Sequence, residues 1–129
     1  MQSITPISDD VAADKDRWVN IGRKILAFHN CGETPAEIGR CIDLWKKTKG
    51  VPEEEMIDGL GFFLGELVLD QHGGTWVWVA DEFGQTPAIQ RKSLGYVSYV
   101  LDWVSKRLRD DSVAEREIPS VVAVYAEIS

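Results

Sequence analysis

Two cysteines (Cys31, Cys41) and two histidines (His29, His72) are all that the 129 residues contain of either type. A chain of this size with a good apolar fraction needs no disulfide to fold, so both thiols are expected to be reduced; a bridge across the turn joining the first two helices is conceivable only in an oxidising compartment. Nor do these four residues make a zinc set. His29 and Cys31 are two positions apart, which on a helix turns them to different faces, and no CxxC or HxxxH pair occurs. No metal and no other cofactor is expected. Bases are scarce too: 14 Lys+Arg stand against 21 Asp+Glu, for a net charge of −7, which argues against binding nucleic-acid phosphates. No apolar run reaches the ~18 residues of a membrane span. The start, Met1-Gln2-Ser3-Ile4-Thr5-Pro6, has neither the basic nor the apolar segment of a secretory leader. The expected compartment is the cytoplasm, with no membrane partner.

Assembled catalytic sets are also missing. Nucleophilic catalysis needs a Ser or Cys beside a His oriented by a carboxylate. Here His29 follows Phe28 at the end of an amphipathic segment and His72 precedes a double glycine, so each reads as a helix C-terminal residue favoured by the dipole. No GxSxG, HExxH or P-loop pattern occurs. Glu66 and Asp70, one helical turn apart, keep carboxylate chemistry open. Glu66 nevertheless sits among Leu64, Leu67 and Val68, where an acid more often pairs with a base such as Lys106 or Arg107. The chain is therefore expected to be no enzyme. The alternatives are a small-ligand or enzymatic domain using Glu66, Asp70 and His72, or a cytoplasmic adaptor.

What is present is enough for a core: 44% of the side chains are hydrophobic and 27% charged, fitting one domain over residues 1–129. Ser8 before Asp9-Asp10 marks a helix start, and Val11, Trp18, Ile21, Ile25 and Phe28 form one apolar face of a helix over 9–30. Thr34-Pro35-Ala36-Glu37 reads as a capping box opening a second helix, with Ile38, Cys41, Ile42 and Trp45 inward and a stop at Gly50. Pro52 and Glu53-Glu54-Glu55 open a third, ended by Gly73-Gly74. Its interior glycines Gly59, Gly61 and Gly65 each cost about 1 kcal/mol against alanine, so another backbone or element is expected to lie on the Gly61/Gly65 face. Thr75–Asp81 reads as a strand covered on both faces, Asp81–Gly84 as a turn, and Gln85–Arg91 as a returning edge strand containing Pro87. A fourth helix is expected over about 95–109, and a fifth over 118–128 started by Pro119, where the β-branched density would also suit a strand. The fold class is α+β: mostly helical, about five helices, with a small antiparallel hairpin or sheet.

Acids are spread evenly, 11 with 8 bases in residues 1–60 and 10 with 6 in residues 61–129. Their local clusters are explained in part by the preference of first helical turns for negative charge. Two clusters are also candidate partner-binding patches: Glu53, Glu54, Glu55 and Asp58, and Asp81, Glu82 and Phe83 at the hairpin turn.

The stretch Gly59-Leu60-Gly61-Phe62-Phe63-Leu64-Gly65-Glu66, then Gly73-Gly74-Thr75-Trp76-Val77-Trp78-Val79, Asp81-Glu82-Phe83-Gly84, Pro87-Ala88-Ile89 and Lys106-Arg107-Leu108 resembles a group of small bacterial domains of unknown function. The likeness covers residues 53–109. Such domains are similar to proteins encoded beside secreted antibacterial toxins, where small acidic cytoplasmic partners act as immunity proteins. What the resemblance implies, together with the acidic charge, is a non-enzymatic binding protein that neutralises a cognate toxin by occluding its active site.

Overall fold

The computed structural model describes residues 2–91 and 96–128. Five helices, α1 (Asp9–Phe28), α2 (Pro35–Thr48), α3 (Glu53–His72), α4 (Val100–Arg109) and α5 (Ala114–Glu127), are joined by a sheet of β1 (Ser3–Pro6), β2 (Thr75–Asp81) and β3 (Gly84–Gln90). The α+β class read from the sequence is the one found. The sheet has three strands where a hairpin was the minimum: β1 pairs antiparallel with β2, which pairs antiparallel with β3. The N-terminal strand escaped the sequence because four residues carry too little alternation to be read.

Local signals set the helix starts. Ser8 Oγ accepts the Val11 N–H at 3.2 Å, and Thr34 Oγ1 accepts the Glu37 N–H at 3.2 Å. The reciprocal half of the expected capping box is not made. Glu37 instead reaches back to accept the Gly32 N–H at 3.0 Å and bonds from Arg40 at 2.7 and 2.9 Å, while Arg40 also donates to the Asn30 carbonyl. This network closes the α1–α2 turn. The Arg40 guanidinium and the Gly32 amide hold the Glu37 carboxyl at about 2, below its ordinary 4.5. A carboxyl depressed on folding stabilises above its ordinary value and loses that contribution as pH falls toward its folded value. The turn is therefore expected to loosen between about pH 4.5 and 2, read as a shift and faster exchange of the Gly32 amide. Glu37→Gln should remove that pH dependence, and an unchanged profile would show that the network does not hold the turn.

α3 is the central element. Met56, Leu60, Leu64 and Val68 are fully buried, and Phe62 and Phe63 nearly so; each such side chain stabilises the fold by about 2 kcal/mol relative to exposure. Its glycines explain how other elements come so close. Gly59 meets Gly22 of α1, a Cβ at Gly61 would lie 2.9 Å from Leu101 Cγ on α4, and one at Gly65 would run into the Trp76 indole of β2. The expected close approach at Gly61 and Gly65 is thus supplied by a helix and a strand side chain. β2 is covered on both faces as expected: Trp76 packs toward α3, its ring 5.3 Å from that of Phe62, while Val77, Val79 and Ala88 form a second small core with Ile4, Val97 and Tyr99.

Three sequence expectations change. Phe28, placed on the inward face of α1, is 78% exposed, and Leu26 takes the buried position, because the buried stripe at this end of α1 is centred on Gly22, Ile25 and Leu26 and leaves Phe28 outside it. Residues 96–99 do not belong to α4: Ser98 exchanges hydrogen bonds with Ile89 and extends the sheet edge, whereas the expected start at position 95 lies outside the described residues. α5 begins at Ala114, so Pro119 is inside it and does not start it. Its leading N–H groups, on Ala114 and Glu115, are capped by the Asp43 carboxylate of α2 at 2.9 and 3.0 Å, a tertiary cap that local sequence cannot announce. Cys31 and Cys41 are free and buried, and burial pushes the Cys41 thiol up to about 12.

Candidate functional site

α1 and α3 run antiparallel, since Gly22 meets Gly59 while Lys15 pairs with Glu66. That crossing sets Val11, Asp14 and Trp18 of α1, on one face by their spacing of three and four, beside Asp58 and Phe62 of α3. β2 closes the third side with Trp78. Trp78 points to the same side of the sheet as Trp76 because strand side chains alternate with period two. The result is a recess of about 190 Å³ lined by the aromatic residues Trp18, Phe62 and Trp78, with Pro87 and Leu101, and by the acidic residues Asp14 and Asp58. The Trp78 indole is fixed by donating to Gln85 Oε1 at 3.0 Å across the hairpin.

The two carboxylates differ. Asp14 accepts from Arg17 at 3.4 Å, and the Arg17 guanidinium lies 4.9 Å from the centre of the Trp18 ring. Asp58 is half-buried, and no described cation pairs with it. Burial, and secondarily the charge of Glu54 one turn earlier, push its carboxyl above the ordinary carboxylate range.

The acids singled out in the sequence are dispersed by the fold. Glu53 turns to α4 and pairs with Arg109 at 3.2 Å, Glu54 and Glu55 stand in solvent, and Asp58 alone enters the recess. At the hairpin, Asp81 Oδ1 accepts the Phe83 N–H at 2.8 Å and shapes the turn, Glu82 is exposed, and Phe83 is 89% exposed at the tip. Gly84 closes the turn at φ +139°, a conformation that L side chains rarely adopt. The tip lies three residue pairs beyond Trp78, roughly 10 Å along the strand. Asp58 of the first patch therefore lines the recess together with Trp78 and Pro87 of the hairpin, whereas Asp81, Glu82 and Phe83 of the second patch do not line it. Asp14, Trp18, Phe62 and Trp78 are not site residues on the reading of the sequence; the spacing of Asp14 to Trp18 and of Asp58 to Phe62 was the available signal, but both pairs read equally as ordinary helix faces.

Glu66, Asp70 and His72 are not gathered into one pocket. Glu66 pairs with Lys15 of α1 and not with Lys106 or Arg107; Lys106 is bound to Asp102 at 3.0 Å on its own helix. Asp70 is exposed. His72 lines a separate, open groove of about 560 Å³ against Thr34, Pro35, Pro119, Val122 and Ala126, to which neither acid contributes. Among the described residues no group of three or more His, Cys, Asp or Glu could hold a metal ion, and no helix is long and apolar enough to cross a membrane.

Residues 44–117, more than half of the chain, match the profile of a family described as a domain of unknown function, DUF3806. The match runs from the end of α2 into α5 and takes in Asp58, Phe62 and Trp78 of the recess, while the α1 wall lies before it. It encloses the stretch 53–109, but nothing in it connects the chain with immunity proteins or with the glycine and tryptophan pattern. No curated protein and no solved structure matches.

Proposed function

We propose that this chain, which belongs to the DUF3806 family, is a non-enzymatic binding protein that docks a basic macromolecule on the face where α1, α3 and the β2–β3 hairpin meet. One observation carries the reading: the recess brings three aromatic walls together with two carboxylates in a protein of net charge −7. Large aromatic groups around a sheltered centre are what gives an interface its residence time, and surrounding acids raise the association rate with a cationic partner. Phe83, exposed at the hairpin tip, supplies a second apolar anchor. In its narrower form the partner is a bacterial toxin with a cationic cleft, the chain is its immunity protein, and docking occludes the toxin's active site. The pairing of Glu66 with Lys15 supports a structural role for that acid over a catalytic one.

The test is a stoichiometric complex with the product of the adjacent gene, resolved by size-exclusion chromatography and followed by interferometry. Association is expected to slow as salt rises. The double reversal Glu54→Lys/Glu55→Lys, on exposed positions that leave the fold intact, should lower the association rate about tenfold at low salt. No complex, or a rate indifferent to salt and to the reversal, would remove the reading.

A further inference from the structure

We propose that the recess between Trp18, Phe62 and Trp78 seats a single arginine side chain of the partner, with its guanidinium stacked on indole and bonded to Asp58. The inference rests on the binding reading above and names the chemistry of the contact. A cavity of about 190 Å³ is of side-chain size and smaller than the clefts that enclose whole small molecules. Three of its lining residues, Trp18, Phe62 and Trp78, carry aromatic rings, and the faces of such rings attract cations electrostatically. Asp58 is held half out of water with no cation among the described residues to compensate it, and a carboxylate in such a place is completed by an incoming positive charge. Burial and Glu54 raise its carboxyl, so the unoccupied state carries a cost that a cation relieves.

The choice of guanidinium over ammonium comes from Arg17. This residue's guanidinium already lies over the Trp18 ring, 4.9 Å from its centre, while bonded to Asp14, so the chain itself sets a guanidinium against both an indole and a carboxylate, and it leaves Asp58 unused. A planar, weakly hydrated guanidinium can lie flat on an aromatic face and still present a fork to a carboxylate; an ammonium keeps its hydration shell and has no face to stack.

The experiment uses the intact chain and small probes, so it does not depend on knowing the partner. N-acetyl-arginine amide is titrated into ¹⁵N-labelled protein and the indole N–H signals of Trp18 and Trp78 are followed; N-acetyl-citrulline amide, its neutral near-isostere, and N-acetyl-lysine amide serve as comparisons. Expected is saturable movement of both indole signals with the arginine probe, none with citrulline, and at least tenfold weaker binding for the lysine probe. Asp58→Asn, which keeps size and shape, should weaken the arginine probe about tenfold while leaving the rest of the spectrum in place. Equal response to arginine and citrulline, equal affinity for lysine, or an Asp58→Asn titration like the parent's would overturn the seat. If the arginine probe fails while the protein complex forms with its salt dependence, the seat falls and the binding reading stands. If the probe binds as described while no complex forms, the seat stands and the docking reading falls.

Discussion

Gly22→Ala is expected to destabilise the protein by about 3 kcal/mol, near the upper end of what overpacking a well-filled interior costs. A Cβ at position 22 would lie 2.8 Å from the Gly59 carbonyl carbon and closer still to its oxygen, and 2.9 Å from Phe63 Cβ. The obstacle is backbone on the partner helix, which cannot swing aside as a side-chain end can, so α1 and α3 must separate along their crossing. Alanine's better helix propensity returns about 1 kcal/mol and does not offset the loss. Separation would also pull Trp18 away from Asp58 and Phe62, so the variant should lose the recess along with stability. Urea unfolding with the slope unchanged measures the first effect. Gly50→Ala is the matched control: nothing lies within 4 Å of its Cβ position, and its midpoint should stay within about 0.5 kcal/mol of the parent. If the two alanine variants unfold alike, the helix crossing does not depend on backbone contact.

Asp43→Ala is expected to cost about 2 kcal/mol, the upper range for loss of an N-cap. The Asp43 carboxylate takes two amide hydrogens at the start of α5, on Ala114 at 2.9 Å and Glu115 at 3.0 Å, and α5 has no side-chain cap of its own at Val113. Pro119 inside the same helix already lacks one amide donor, so α5 depends on its first turn being held. Removing the cap leaves amide groups orphaned where α2 and α5 pack, with Gly39 against Ala114. Hydrogen exchange should quicken over Ala114–Glu117 before it does in α3. Uniform exchange across both helices would mean that α5 is held by its packed face alone.

The same residues explain why some elements were readable in the sequence and others were not. Ser8, Thr34 and the Gly73-Gly74 pair mark helix ends through bonds to neighbours three or four positions away, and such signals survive in one dimension. The apolar faces of α2 and α3 follow from 3.6-residue periodicity, and β2 from its density of Trp and Val. Phe28 departs from its expected place because apolar spacing does not fix where the buried stripe is centred, and on α1 it is centred on Gly22, Ile25 and Leu26. The start of α5 failed because its cap belongs to Asp43, 71 positions earlier. At the site, Asp58 and the hairpin acids drew notice as charges, but the aromatic partners of Asp58 did not. Trp18, Phe62 and Trp78 come from three elements and look like core when read singly.

Local sequence by itself determined where most helices and the hairpin form, that the chain is acidic, and that glycines on α3 must admit close neighbours, because each depends on residues within a turn or two of one another. Only the tertiary structure decided which acids share a surface with which rings. The register of α1 on α3 is fixed by backbone contact at Gly22 and Gly59, and that long-range registration, unreadable along the chain, is what sets Asp58 among Trp18, Phe62 and Trp78.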